Sequence, residues 1–201
     1  IDRELGRLIA ALEEKGLAEN TILVYSSDHG SMFGSHGVGS KRQPYEESIR
    51  VPFLVHAPGR VPAGAKVDAL FGAIDIMPTL CGMAGVKPPS GLDGQDFSPW
   101  LRGNSGPDPE SAFIMHIAKQ NASGGEKHPA PLFRGLRTKR HTYAVFAEGG
   151  GCLYDNTADP YQMRNLFEDP ACETVREELR EELRRTLKKA GDPFTVPGKD
   201  E

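Results

Sequence analysis

One stretch organises the chain: it covers residues 21–41 and has the sequence TILVYSSDHGSMFGSHGVGSK. It opens with the apolar run ILVY, whose β-branched and aromatic side chains predict a buried strand. Asp28 and His29 come soon after that strand, and open α/β sheets usually place functional side chains at this end of a strand. A glycine-rich loop then carries His36 and ends at Lys41. The loop can bring together a carboxylate, two imidazoles and an ammonium group, which suits a metal ion and an anionic oxygen substrate.

The segments on both sides of this stretch predict an α/β sheet flanked by helices. Apolar side chains before it fall on one face of a helix, at Ile1, Leu5, Leu8, Ile9 and Leu12. A second apolar run at residues 53–56 predicts a strand in the same sheet as residues 22–25. Asp75 is then predicted to cap a helix that ends near Gly85. A helix, a short link and a buried strand form one unit of a mostly parallel sheet.

The C-terminal half predicts a separate subdomain. The polar, proline-containing segment at residues 104–110 indicates a boundary, so the predicted domains cover residues 1–106 and 107–201. Short apolar segments joined by short links predict an antiparallel sheet after this boundary. A helix over residues 170–189 follows and is capped by Asp169. Its apolar side chains are spaced for one buried face, at Val175, Leu179, Leu183 and Leu187.

Composition and charge argue against several classes of function. The chain has 201 residues, 38% hydrophobic and 26% charged, enough for one or two small globular domains. Its formal net charge of −4 gives no sign of a nucleic-acid or anionic-membrane partner. No apolar run approaches the length of a transmembrane helix. The cysteines, Cys81, Cys152 and Cys172, are too widely spaced to indicate a disulfide framework or a zinc site.

Three runs of sequence carry a resemblance to a known family. Residues 26–59, SSDHGSMFGSHGVGSKRQPYEESIRVPFLVHAPG, resemble the signature of the sulfatases within the alkaline-phosphatase superfamily. A weaker match continues through AIDIMPTLCGMAGV. Near the end, LYDNTADPYQMRNLFEDP is similar to the family's Leu-Tyr-Asp-Leu-x-x-Asp-Pro-x-Glu-x-x-Asn-Leu pattern. The resemblance implies an α/β fold: the C-terminal part of an alkaline-phosphatase-like, mostly parallel sheet flanked by helices, plus a small antiparallel-sheet subdomain with a packed C-terminal helix.

The resemblance also implies hydrolysis of a sulfate monoester, with a formylglycine nucleophile and a divalent metal, which is calcium in most of the family. It makes Asp28 and His29 metal ligands, and Lys41 a catalytic residue that contacts the sulfate group. His36 matches the loop histidine of the family and is a weaker catalytic candidate. His128 lies in a long loop and is a candidate substrate contact, because loops of the family's subdomain border the active site. The expected partner is a small-molecule or sugar sulfate ester.

The formylglycine motif of the family does not occur in this sequence. Sulfatases carry Cys/Ser-x-Pro-x-Arg well before the Asp-His-Gly element, and none of the cysteines here is followed by x-Pro-x-Arg. The sequence is therefore interpreted as the C-terminal part of a sulfatase-like protein whose missing N-terminal region supplies the nucleophile. This chain alone is expected to be inactive.

Other interpretations remain open at this point. An Asp-His pair also occurs in phosphatases and phosphodiesterases of the superfamily, which use zinc or manganese, and imidazole suits those metals better than calcium. A phosphoester or phosphonate-ester hydrolase is therefore the second hypothesis. The third is a sulfatase-like module that performs no chemistry, because the nucleophile is absent from this sequence. The sequence determines neither the cellular compartment nor the particular ester.

Overall fold

The structure is a computed structural model that describes residues 1–39, 41–117 and 130–197. The chain forms two compact units. The first comprises Ile1–Ser27 and Pro52–Pro109, and the second comprises Asp28–Val51 and Glu110–Glu201. The segment after the first strand therefore belongs to the second unit. The predicted division into domains at residues 106 and 107 stays a prediction.

Helices and strands are interleaved in the first part of the chain, and four strands precede a long helix in the second. The helices are α1 (Asp2–Glu14), α2 (Glu46–Ile49), α3 (Ile76–Ala84), α4 (Ser98–Leu101) and α5 (Glu173–Ala190). The strands are β1 (Leu23–Ser26), β2 (Phe53–His56), β3 (Ser111–His116), β4 (Phe133–Thr138), β5 (His141–Phe146) and β6 (Gly151–Asp155). Short 3-10 turns lie at Ala18–Asn20, Ser35–Gly37, Ala73–Asp75 and Pro170–Cys172. Among the described residues, no helix is long and apolar enough to span a membrane.

In the first unit, β1 and β2 pair with each other. Leu23 lies opposite His56 and Ser26 opposite Phe53, which confirms that both apolar runs belong to one sheet. The expected burial is wrong, because all of β1 is half-buried and Leu54 of β2 is 59% exposed. In the described part of the chain this sheet has only these two strands, so each keeps an unpaired edge. Their pairing is antiparallel, and no parallel pair of the predicted sheet lies within the described residues.

Helix α3 lies where the sequence predicts it, but its N-terminus is held differently. The side chain of Asp75 makes no capping hydrogen bond to α3. Its carboxylate instead accepts hydrogen bonds from the backbone N–H groups of Gly72 and Gln95, both at 2.8 Å. At the other end, Gly85 adopts a φ of 70° and terminates the helix, as predicted. Asp75 therefore joins two turns of the first unit.

In the second unit, β3 to β6 form an antiparallel sheet in chain order, and α5 packs on one of its faces. Leu183 is fully buried there, and Leu179 and Leu187 are 8% and 3% exposed. They share a core with Leu136 and Tyr143 of the sheet. These observations confirm the predicted antiparallel sheet, its packed helix and the buried leucines. They also confirm the mixed α/β class with a C-terminal helix.

Both ends of α5 are fixed by carboxylates. Asp169 accepts a hydrogen bond from the backbone N–H of Ala171 at 3.0 Å, as predicted for a cap, although a 3-10 turn precedes the α-helix. Beyond the C-terminal end, Asp192 forms an ion pair with Arg134 of β4, with 2.6 Å between Oδ2 and Nε. The helix is thus held on the sheet by polar contacts as well as by its leucines.

Candidate functional site

Asp28, His29 and Lys41 meet in the loop of residues 28–45, here called the site loop. The backbone N–H of His29 donates to Asp28 Oδ1 at 3.0 Å, and His29 Nε2 lies 3.2 Å from Asp28 Oδ2. Nζ of Lys41 lies 2.7 Å from the same Nε2. The structure therefore brings together the residues that the resemblance implied for the metal and for the anion.

The two ring nitrogens of His29 have different neighbours. Nδ1 lies 2.8 Å from the carbonyl oxygen of Gly30, which can only accept a hydrogen bond. The ammonium group of Lys41 can only donate, so it requires a lone pair on Nε2. The carbonyl of Gly30 therefore places a proton on Nδ1, while Nε2 faces both the ammonium group of Lys41 and, at 3.2 Å, the carboxylate of Asp28. Metal-ligating histidines commonly have this arrangement, with the second nitrogen donating to a carbonyl.

The backbone of Gly30 holds the segment that carries Asp28 and His29 against helix α2. Its N–H donates to the carbonyl oxygen of Ser48 at 2.9 Å. A Cβ at residue 30 would lie 1.9 Å from the carbonyl oxygen of Glu47, so a side chain here would force the backbone to move. The glycine of Asp-His-Gly is therefore required by close approach of two backbone segments.

His36 packs beside α2. Its ring stacks on Tyr45, with centroids 4.0 Å apart and an interplanar angle of 9°. Its Nε2 lies 3.9 Å from a carboxylate oxygen of Glu47, and its side chain is 13% exposed. His36 also has a positive φ of 55°, which is strained for a side chain with a Cβ. These contacts show how the loop histidine is held, and its weaker catalytic role stays a prediction.

Two further histidines of the second unit are His128 and His116. His128 falls in residues 118–129, outside the described residues, so its contact with substrate stays a prediction. His116, at the end of β3, places Nδ1 2.9 Å from the carbonyl oxygen of Pro131. That hydrogen bond explains His116 as a satisfied histidine of the sheet.

The end of the site loop lies on the sheet face opposite α5. Tyr45 packs there against a cluster that includes Phe133, Cys152 and Tyr154. Burial raises the pKa of the Cys152 thiol to about 12 and holds the pKa of the Tyr154 phenol above its ordinary value. Both groups are therefore neutral near pH 7, and the loop rests on an uncharged surface.

Sequence reasoning missed two residues that hold α2 in place. Arg137 of β4 forms a two-point ion pair with Glu46, at 2.6 and 3.1 Å. The side-chain oxygen of Gln162 accepts a hydrogen bond from the backbone N–H of Glu46 at 2.8 Å. Gln162 lies in the LYDNTADPYQMRNL run, which the resemblance matched without giving it a role. Nothing in the sequence indicated this role for Arg137, because a charged residue within a strand usually indicates a solvent-facing position.

The residues present fit part of a divalent-metal site. Asp28 offers a carboxylate that is 83% exposed, next to the Nε2 lone pair of His29. Across residues 1–39, 41–117 and 130–197, no group of three or more His, Cys, Asp or Glu side chains is arranged to hold a metal ion. Calcium takes about 6–8 oxygen ligands. The described residues therefore offer two adjacent candidate ligands, and most of a calcium coordination sphere would have to come from elsewhere.

Residues 34–189 match the family described as N-sulphoglucosamine sulphohydrolase, C-terminal. The chain belongs to this family. The match begins after Asp28 and His29, and it includes Lys41 together with the pair formed by Glu46 and Arg137. The sulfatase resemblance inferred from the sequence is therefore confirmed.

Individual relatives agree with the family. The chain is 41% identical over 199 residues to an ulvan-active sulfatase of Formosa agariphila, covering 96% of this chain and 38% of that protein. The fold is similar, with a TM-score of 0.85 and 30% identity, to a structure in complex with its substrate D-glucosamine-2-N,6-O-disulfate, covering 100% of this chain and 40% of that one. It is also similar to phosphonate monoester hydrolase of Agrobacterium radiobacter, with a TM-score of 0.81 and 29% identity over 94% of this chain and 39% of that one. The chain thus spans 38–40% of the length of these relatives.

Proposed function

We propose that the whole protein of which this chain is part is a sulfuric ester hydrolase that cleaves sulfate monoesters. The observation that carries the proposal is the grouping of Asp28, His29 and Lys41, with Lys41 Nζ 2.7 Å from His29 Nε2, in a chain of the sulfatase family. The nucleophile is proposed to be a formylglycine contributed by a region outside this chain.

Lys41 is the proposed contact to the sulfate group. As the ester bond breaks, negative charge grows on the sulfate and leaving-group oxygens, and a fixed ammonium group stabilises that charge. Lysine is a compact point charge with three donors, so it can stabilise oxygens at slightly different positions. In the structure the ammonium group lies beside the proposed metal ligands, 2.7 Å from Nε2 of His29, and a metal ion bound at Nε2 would replace this contact.

Asp28 and His29 are the proposed metal ligands, through a carboxylate oxygen and Nε2. A divalent metal, when bound, would polarise a sulfate oxygen as a Lewis acid. Calcium is the proposed metal, while the imidazole of His29 would also suit zinc or manganese. The hydrogen bond of Nδ1 to Gly30 supports this role, because it leaves Nε2 as the ligating atom.

A sulfated carbohydrate is the proposed substrate class. The relative from Formosa agariphila is named as active on ulvan, and a structural neighbour binds a disulfated glucosamine. Both cover nearly all of this chain, so the likeness extends over both of its units.

Phosphonate-ester hydrolysis is the second candidate, and one observation favours it. A phosphonate monoester hydrolase shares the fold with a TM-score of 0.81 at 29% identity. Sulfate and phosphonate monoesters both present a tetrahedral anion with an ester oxygen, so one arrangement of lysine and metal can accept either. The higher identity to the ulvan-active sulfatase supports the sulfate ester as the main substrate.

Turnover of matched esters by the whole protein separates these candidates. We expect kcat/KM for para-nitrophenyl sulfate to exceed that for a para-nitrophenyl phosphonate ester, and the reverse order would make the phosphonate hydrolase the correct assignment. Lys41→Met should lower kcat/KM for the sulfate by about 10²-fold or more. Arg42→Gln, which neutralises the adjacent cation, is the matched control and should leave it unchanged. Absence of turnover of either ester would overturn the proposal.

A further inference from the structure

We infer that the ion pair between Glu46 and Arg137, supported by the amide of Gln162, positions the site loop on the antiparallel sheet. The inference rests on the proposed function, since it concerns the placement of the residues which that function uses. Glu46 and Arg137 are positioning residues that act through α2. They bond to each other, and Glu46 also contacts Gln162 through its backbone N–H and Arg50 through its carboxylate.

The pair has the geometry of a strong interaction. Nε and one terminal nitrogen of Arg137 donate to the two carboxylate oxygens of Glu46, at 2.6 and 3.1 Å. The side chains are 18% and 14% exposed, so the charges are largely withdrawn from solvent. The two residues are 91 positions apart in sequence, and they join α2 to the middle of the sheet. Such a pair fixes both distance and orientation, because the planar guanidinium matches the carboxylate at two points.

A chain of amides provides a second attachment of α2. Gln162 is 1% exposed and has a positive φ of 54°, so it is held in an unusual backbone conformation. Its Oε1 accepts from the backbone N–H of Glu46, and its Nε2 donates to Asn156 at 3.0 Å. Asn156 donates in turn to the hydroxyl of Thr142 on β5 at 2.9 Å. Because Oε1 accepts from a backbone N–H and Nε2 donates to a side-chain oxygen, these two bonds determine the orientation of the Gln162 amide.

Contacts between helix α2 and the site loop make the position of the loop depend on the helix. The carbonyl oxygen of Ser48 on α2 accepts from Gly30 at 2.9 Å, immediately after His29. At the other end, Tyr45 precedes α2 and stacks on His36. A shift of α2 would therefore move the backbone next to the proposed metal ligand. The sheet, through Glu46, sets where this part of the loop lies.

The matched control is an ion pair on the other face of the same strand. Arg134 donates to both carboxylate oxygens of Asp192, at 2.6 and 3.2 Å, with the arginine 11% exposed. It is as buried as Arg137 and makes the same kind of bond, but it attaches α5 rather than α2. Arg134 also donates to the carbonyl oxygen of His116 and lies over the ring of Phe194, so Arg134→Met should destabilise the protein at least as much as Arg137→Met while leaving α2 attached.

The experiment measures hydrogen exchange of residues 28–50 and kcat/KM for para-nitrophenyl sulfate in the whole protein. We expect Arg137→Met to speed exchange in this segment by about tenfold or more, and to lower kcat/KM by about 10–100-fold. Arg134→Met should leave exchange in the segment unchanged. Exchange and kcat/KM of Arg137→Lys should lie between those of the wild type and of Arg137→Met, because lysine keeps the charge and loses the two-point geometry. Glu46→Gln replaces Arg137→Met if the latter does not fold.

The inference is overturned if hydrogen exchange in residues 28–50 is no faster in Arg137→Met and Glu46→Gln than in Arg134→Met. So would an equal loss of kcat/KM in all three variants, because the pair would then contribute only to general stability. The exchange measurement does not require turnover. If the wild-type protein hydrolyses no sulfate ester, the proposed function fails while the exchange data still test the positioning.

Discussion

Nζ of Lys41 lies 2.7 Å from Nε2 of His29, although the two residues are twelve positions apart in sequence. The contact makes the proposed anion-binding residue an immediate neighbour of a proposed metal ligand. Because the two side chains touch, loss of activity on changing either one does not by itself assign its role. Metal content and turnover must be measured separately.

Removing the carboxylate of Asp28 should lower metal content and abolish turnover. Asp28→Ala takes away the anionic ligand of the pair and leaves only an imidazole nitrogen, which suits calcium poorly because calcium prefers oxygen ligands. Elemental analysis of the purified whole protein gives the metal content. Asp68→Ala, at an exposed position outside the site, should leave both quantities unchanged. Full metal content in Asp28→Ala would exclude this residue as a ligand.

Removing the ammonium group of Lys41 should lower turnover and leave the metal bound. A protonated lysine has no lone pair for a cation, so Lys41→Ala removes a stabiliser of the anion and no ligand. The same elemental analysis, combined with ester turnover, provides the measurement. Loss of metal in this variant would show that Lys41 acts mainly by holding His29 in place.

Adding a methyl group at residue 30 should disturb the site loop. In Gly30→Ala the new Cβ would lie 1.9 Å from the carbonyl oxygen of Glu47, so the loop must separate from α2. We expect a loss of about 1–3 kcal/mol in the free energy of unfolding, measured by urea denaturation. Gly39→Ala is the matched control in the same loop, because among the described residues, apart from its chain neighbours, no atom lies within 4 Å of a Cβ added there. Equal effects of the two changes would contradict the close approach described here.

The leucines of α5 should dominate the stability of the second unit. Leu183 is fully buried, so Leu183→Ala removes apolar contacts and leaves a cavity, which costs about 2–5 kcal/mol. Leu54→Ala, at a side chain that is 59% exposed, should change the free energy of unfolding by less than about 0.5 kcal/mol. A melting temperature of Leu183→Ala equal to that of the wild type would show that α5 is not docked as observed.

Stability should depend on pH through Asp155. The Arg140 guanidinium, hydrogen-bonded at 2.7 Å, lowers the pKa of this carboxyl group from 3.8 to about 2. The folded state thus binds the proton less tightly than the unfolded state, so the stabilisation is present above about pH 4 and is lost as the pH falls towards 2. The difference in unfolding free energy between wild type and Asp155→Asn should shrink over this range. A difference independent of pH would contradict the lowered pKa of Asp155.

Much of the second unit could be predicted from local pattern. The apolar spacing of Leu179, Leu183 and Leu187 predicted a helix with one buried face, and the structure shows that face against the sheet. Asp169 was recognisable as a cap because the signal lies within a few residues of the helix it begins. Such features depend on neighbours in sequence, so a periodic pattern is enough to identify them.

Burial of strands and the attachment of the site loop could not be predicted in this way. The apolar run of β1 is typical of a fully buried strand, yet the strand is half-buried, because burial depends on which elements lie beside and above it. The partner of Glu46 is Arg137, 91 residues away, and a charged residue within a strand does not indicate which buried carboxylate it will meet.

The sequence alone determined which chemistry the site loop can carry, because Asp28, His29 and Lys41 are close enough along the chain for their kinds and order to be recognised. Only the tertiary structure decided how that loop is held. The contacts that place α2 join segments far apart in sequence, and such pairs form only when the folded sheet brings their donors and acceptors within hydrogen-bond distance.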